Sequence, residues 1–147
     1  MFDLDLYKKA EKKHGSIWSD GVDEAAIDKL ANDLNVILPS SYKKFLMKFG
    51  EGGITGVYFF GIKDEKYSSA FEKTIKFRKR YKINKSWVVI ADESNNWQEY
   101  ILCLDTSRMK DDECPIVKYD YNHSEVDDYK DNFYDLFNYK CEVALYD

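Results

Sequence analysis

The groups able to do covalent chemistry are few: two histidines, His14 and His123, and three cysteines, Cys103, Cys114 and Cys141. A nucleophile works only within hydrogen-bond reach of a base, and neither histidine sits in a recognisable nucleophile–base motif. Spacing does not forbid a distant Cys–His pairing, but a solvent-facing or hydrogen-bonded histidine is the simpler reading. The cysteines are odd in number, widely spaced and free of any C-x-x-C, so neither a disulfide framework nor a zinc knuckle is expected; buried, reduced thiols are. Asp120, Asn122 and Ser124 have the alternate spacing of a calcium loop's first ligands. The sixth position is Glu125 instead of glycine and the twelfth Asp131 instead of glutamate, which does not fit an EF-hand. Asp111, Asp112 and Glu113 are consecutive acids between expected strands, where successive side chains diverge; they read as a charged hairpin tip, not a two-metal site. The glycines of GEGG close a helix and open a strand, the reverse of a phosphate-binding fingerprint. No cofactor, metal or catalytic residue is expected from these residues.

What remains is charge. Residues 1 to 91 carry 12 acids and 17 bases and residues 92 to 147 carry 15 acids and 5 bases, a split of +5 against −10 within a net charge of −5. Such an acidic half repels nucleic acid and steers a basic protein surface toward it, raising association rates by about 10 to 10³ fold. The bland alternative is a solvated acidic face. Lys73, Lys76, Lys79 and Arg80 form the most basic stretch, and interleaved aromatics invite a nucleic-acid reading, but these fall at core spacing, not beside the charges. No run approaches the roughly 20 apolar residues of a membrane span, and the acidic, amphipathic start lacks the layout of a secretion signal; a cytoplasmic protein is expected.

The elements that must position these groups follow from periodicity. At 147 residues one domain is expected, with an ample core. Phe2, Leu6, Tyr7 and Ala10 give a short amphipathic helix ending near Gly15; Ile17 and Trp18 then lead into a turn at Ser19, Asp20 and Gly21. Asp23 caps a second helix carrying Ala26, Ile27, Leu30, Ala31 and Leu34 on one side, with Asn35 as a left-handed stop. Residues 38 to 61, LPSSYKKFLMKFGEGGITGVYFFG, organise the rest. Pro39 opens a helix, the serines at 40 and 41 offer acceptors to its first amides, and Tyr42, Phe45, Leu46 and Phe49 form one stripe. Gly50, Gly52 and Gly53 stop it, and a strand runs from Ile54 to Ile62. A third helix covers 66 to 81. WVVIA, EYILCLD and CPIVKYD are neighbouring antiparallel strands with Pro115 at a strand start or edge, and a helix from Val126 to Leu145 closes on the sheet. The class is α+β.

The LP-x-x-Y-x-x-F-L helix, its glycine turn and the following strand resemble the signature of the SUKH superfamily, which includes yeast cell-wall regulators and many bacterial immunity proteins. The succession WVVIADESNNWQEYILCLDTSRMKDDECPIVKYD follows the family's central sheet, so the similarity spans about Ile27 to Phe137. It departs at Asn35, where glycine is usual, and at Ala31, where glutamate is frequent.

The resemblance implies a single SUKH-like domain over 1–147, with N-terminal helices and a C-terminal helix packed on a mainly antiparallel β-sheet. It further implies a non-enzymatic immunity protein, or antitoxin, that binds a cognate toxin. In this family that toxin is often the nuclease domain at the C-terminus of a larger polymorphic toxin, and no direct nucleic-acid or membrane contact follows. The charge argument agrees, because a nuclease site attracts phosphate with cations that an acidic surface can cover. On charge and aromatic content the partner-binding candidates are Asp92, Glu93, Trp97, Glu99, Asp111, Asp112, Glu113, Asp120, Tyr121, Asp127 and Asp128; none comes from a family motif, and each could instead be solvated or, for Trp97, core. The alternative is an intracellular interaction or scaffold module with no toxin. Whether the protein is a monomer or a homodimer stays open.

Overall fold

A computed structural model describes residues 1–54 and 56–146. Among these, five α-helices and two antiparallel sheets form one α+β domain. Helix α1, Leu4–His14, is capped by Asp3, whose carboxylate accepts from Leu6 N, and packs along α5, Phe133–Tyr146. Asp3 N donates to Asn138 Oδ1 and Lys13 Nζ to the carbonyl of Leu145, so the two ends of the chain are tied together. Helix α2, Glu24–Leu34, starts on the Asp23 carboxylate and stops at Asn35 with φ 56° and ψ 50°, the left-handed cap read from its residue type.

Helix α3, Ser40–Phe49, supplies the centre of the core. Its Tyr42, Phe45 and Phe49 meet Phe133 and Phe137 of α5, Phe59 and Trp18, with the Trp18 and Phe49 rings 4.4 Å apart and the Phe45 and Phe133 rings 5.1 Å apart. Ring pairs at such separations add about 0.5–1.5 kcal/mol each beyond their buried area.

Four expectations change. Ile17 and Trp18 are not a lead-in to a turn but part of strand β1, Ser16–Trp18, which pairs with β2, Gly52–Ile54. The strand expected over Ile54 to Ile62 is therefore displaced onto the glycines. The reason is steric: a Cβ on Gly52 would lie 1.9 Å from the carbonyl oxygen of Ile17, and one on Gly53 1.7 Å from that of Val57. Only a bare backbone fits between those carbonyls. Of the rest of that run, Phe59 makes one bridge back to Gly52 and Thr55 lies outside the described residues. Helix α4, Ser69–Tyr81, begins three residues later than its periodicity suggested, because Ser68 caps it through Phe71 N.

The four-stranded sheet runs β3–β4–β5–β6: Trp87–Asp92, Tyr100–Asp105, Ile116–Asp120 and Glu125–Lys130. The first three match the expected antiparallel strands, and Pro115 precedes β5. The fourth strand is the fourth correction. VDDYK, expected to start the closing helix, belongs to an edge strand, so Val126 and Tyr129 lie in β6 and α5 begins only at Phe133. Four consecutive exposed residues in β6 hide the apolar alternation that marks a half-buried strand. Helix α4 lies against β3, where the buried Thr74 hydroxyl accepts from Val89 N.

Candidate partner-binding surface

The antiparallel order places the β3–β4 loop and the β5–β6 turn at one end of the sheet, and the β4–β5 connection at the other. The candidate residues are thereby divided. Asp92, Glu93, Trp97, Glu99, Asp120 and Tyr121 gather at the first end; Asp111, Asp112 and Glu113 sit at the second; Asp127 and Asp128 lie along β6 between them.

At the first end the loop is built by short polar side chains. Asp92 Oδ1 accepts from Ser94 N, and Asn95 Oδ1 accepts from both Trp97 N and Gln98 N, while Asn95 N donates to the carbonyl of Gln98. The turn so closed leaves the Trp97 side chain 91 % exposed. Core packing, its alternative in the sequence, does not occur. Ser94 and Tyr121 hydroxyls meet at 3.0 Å, joining this loop to the neighbouring turn. Tyr121 is half-buried against Phe77 and Tyr81 of α4, with ring centroids 5.3 and 4.6 Å away. Its ring supports the site from below.

The acids here differ in commitment. Glu93 pairs with Lys140 of α5. Asp120 Oδ1 accepts from Asn122 N and His123 N while Oδ2 meets His123 Nδ1 at 2.9 Å, and this holds the Asp120 carboxyl below its usual range and the His123 imidazole above its own. Asp92 and Glu99 are exposed beside Trp97. Glu125, opposite Asp120 in the register, adds a further exposed carboxylate at this end. Glu125 and His123 are absent from the partner-binding candidates of the sequence because residues 126 onward read as a helix there, which hides the hairpin.

The second end is tighter. Asp111 and Asp112, with φ 53° and 62°, turn the chain between Lys110 and Glu113, which bridge each other. This is the hairpin tip the sequence suggested, with Asp111 and Asp112 exposed on it, but the third acid, Glu113, is at work inside the fold. Glu113 Oε2 accepts from Ser41 N at 2.9 Å and Oε1 from the Ser41 hydroxyl, while Ser40 N donates to the carbonyl of Asp112. The first amides of α3 are thus satisfied by a carboxylate 72 residues away. The serines at 40 and 41 do not supply the acceptors, which corrects the local-cap expectation; Pro39, the N-cap, has no side-chain acceptor to give. A carboxylate at a helix N-terminus also meets the positive end of the helix dipole.

Between the ends, Asp128 is gripped by Arg108, whose Nη1 and Nη2 reach its two oxygens at 3.1 and 2.7 Å while Nε holds Asp105 at 2.8 Å. Asp127 is exposed, opposite Lys118 in the register.

The thiols are in no position to act as nucleophiles. Burial pushes Cys114 and Cys141 up to about 12 and Cys103 further still, so all three stay protonated near neutrality. Among the described residues no group of three or more His, Cys, Asp or Glu could hold a metal ion, and no helix is long and apolar enough to cross a membrane. What the first end of the sheet presents is a braced loop, an exposed indole and several exposed carboxylates. The family model SUKH_5, described as SMI1-KNR4 cell-wall, matches residues 4–141, from the first residue of α1 well into α5, and so takes in every strand described above. The chain belongs to the SUKH family, whose members include immunity proteins of polymorphic toxin systems.

Proposed function

We propose that this chain is an immunity protein whose single domain, over 1–147, binds a cognate toxin and covers its active surface without turning anything over. The toxin it suits is a nuclease, whose site must gather cations to hold phosphate and so attracts the carboxylates of the first sheet end. Trp97 is the anchor, Asp92, Glu99 and Asp127 supply the field, and Tyr121 holds the loop beneath the indole; Glu93, Asp120 and Asp128 act through their existing partners. The 111–113 turn takes no direct part in this arrangement.

The observation that carries the reading is the exposure of Trp97 on a loop closed by three Asn95 hydrogen bonds. An indole left in water costs stability, and tryptophan is among the residues most enriched at interface hot spots. A pre-formed loop also avoids the ordering cost of binding.

The test is co-purification with the product of the adjacent gene, followed by stoichiometric titration of its nuclease activity. One equivalent should abolish activity, and Trp97→Ala should demand a large excess while its unfolding midpoint stays unchanged. Retained inhibition by Trp97→Ala would remove the anchor, and a neighbour with no toxin domain and no complex would favour a scaffold role.

A further inference from the structure

A second recognition feature shares no residue with the Trp97 end. Helix α2 and the segment from Ile62 to Phe71 enclose a groove of about 450 Å³, within the roughly 300–1,000 Å³ of ligand-binding clefts. Its floor is Ala26, Leu30 and Ile62, and two aromatic side chains, Tyr67 and Phe71, stand on one wall at 39 % and 37 % exposure. The rim carries Asp23, Asp33, Asp64 and Glu65 against Lys29 and Lys66, and Lys29 is already paired with Asp33 at 2.6 Å.

This half of the chain is otherwise basic, so an acidic rim around an apolar floor runs against its surroundings. Both walls are fixed before anything binds. Asp64 Oδ1 accepts from Lys66 N and Tyr67 N, the Tyr67 carbonyl accepts from Lys63 N and Asp64 N, and Ser68 Oγ donates to the carbonyl of Gly61 while capping α4. Opposite, Asp23 caps α2.

We infer that this groove is a docking site for a short cationic segment of a partner protein, one that seats an apolar side chain on Ala26, Leu30 and Ile62 and sets arginine or lysine against the rim. Charge decides the occupant. An acidic or nucleic-acid ligand meets repulsion from the four rim carboxylates, whereas a guanidinium gains those not paired with Lys29 and the faces of Tyr67 and Phe71. The floor separates a peptide from a bare polyamine, which has nothing to place there. The inference does not depend on the partner being a toxin.

The experiment is an amide chemical-shift titration of the full chain with the synthetic peptide Ac-Arg-Leu-Arg-NH2, with Ac-Glu-Leu-Glu-NH2 and spermidine as comparisons. Saturable shifts should cluster on α2 and on residues 62–71, and weaken with added salt. Glu65→Lys reverses a rim charge at an exposed position and should weaken binding at least threefold; Ala25→Trp, exposed on the opposite wall, should block by volume with charge unchanged. Shifts centred on Trp97 instead, equal binding of the acidic peptide, or indifference to both substitutions would overturn the proposal. Spermidine binding as tightly as the peptide would also overturn it, by making the site one for small polyamines.

Discussion

Both ends of the four-stranded sheet carry acids, five at the Trp97 end and three at the 111–113 turn, and each end puts one kind of oxygen to a different use. At the 111–113 turn, a carboxylate is turned inward to cap α3 and a backbone carbonyl beside it takes the next amide. At the Trp97 end, Asp92, Asn95 and Asp120 close the loops through single side-chain oxygens and leave Glu99 and Glu125 exposed at the same end as the indole. Net charge therefore says little about where a protein can bind. What matters is whether a helix terminus or a turn has already claimed the oxygen.

Removing the cap should separate the two ends most sharply. Glu113→Ala leaves Ser41, fully buried, without acceptors for its amide and hydroxyl, and should cost about 2–3 kcal/mol in urea unfolding. The affinity of the folded fraction for the proposed toxin should not change. A loss below about 0.5 kcal/mol would mean that water caps α3 equally well.

Trp97→Ala should do the reverse, leaving stability within about 0.5 kcal/mol and weakening the complex by about 2 kcal/mol, close to thirtyfold in Kd by calorimetry. A stability loss as large as the cap variant's would show that the indole packs in solution and would erase the contrast between the ends.

The next effect is kinetic. Asp92→Lys with Glu99→Lys should slow association about tenfold at low salt, and the difference should shrink as the Debye length shortens; Asp111→Lys with Asp112→Lys should slow it less. Stopped-flow rates at two ionic strengths would rank the ends directly.

The smallest effect is on pH dependence. The Asp120–His123 contact raises the histidine, so its stabilisation is complete below the ordinary histidine value near about 6.5 and fades as pH rises through the raised one. The same contact lowers Asp120, whose share is complete above about 4 and is lost as pH falls through the depressed value. Both shares coexist between those limits. Following the His123 ring protons by NMR should give a pKa above the usual histidine value, and Asp120→Asn should return it. Equal values in the two proteins would dismiss the contact.

Much of this architecture is legible without coordinates. The stripes Ala26, Ile27, Leu30, Ala31 and Leu34 and Tyr42, Phe45, Leu46 and Phe49 mark α2 and α3, and WVVIA, EYILCLD and CPIVKYD mark three strands, because burial on one face imposes the helical period and burial on both gives a continuous apolar run. Two strands were not legible. The first, β1, is three residues long with Ile17 exposed, and the second, β6, has four exposed residues in succession. Both exist because a partner strand satisfies their backbone, which local side-chain pattern does not report.

The sequence by itself determined the class, the buried thiols, the helix stop at Asn35 and the uneven charge, since each depends on residue type and near neighbours. Only the tertiary structure decided that Glu113 caps α3 while Trp97 stands in water, and that α2 and the segment 62–71 enclose a groove. Those outcomes join residues dozens of positions apart, and the ordinary preferences of a carboxylate for water and of an indole for burial are overridden only where the fold supplies, or withholds, a partner.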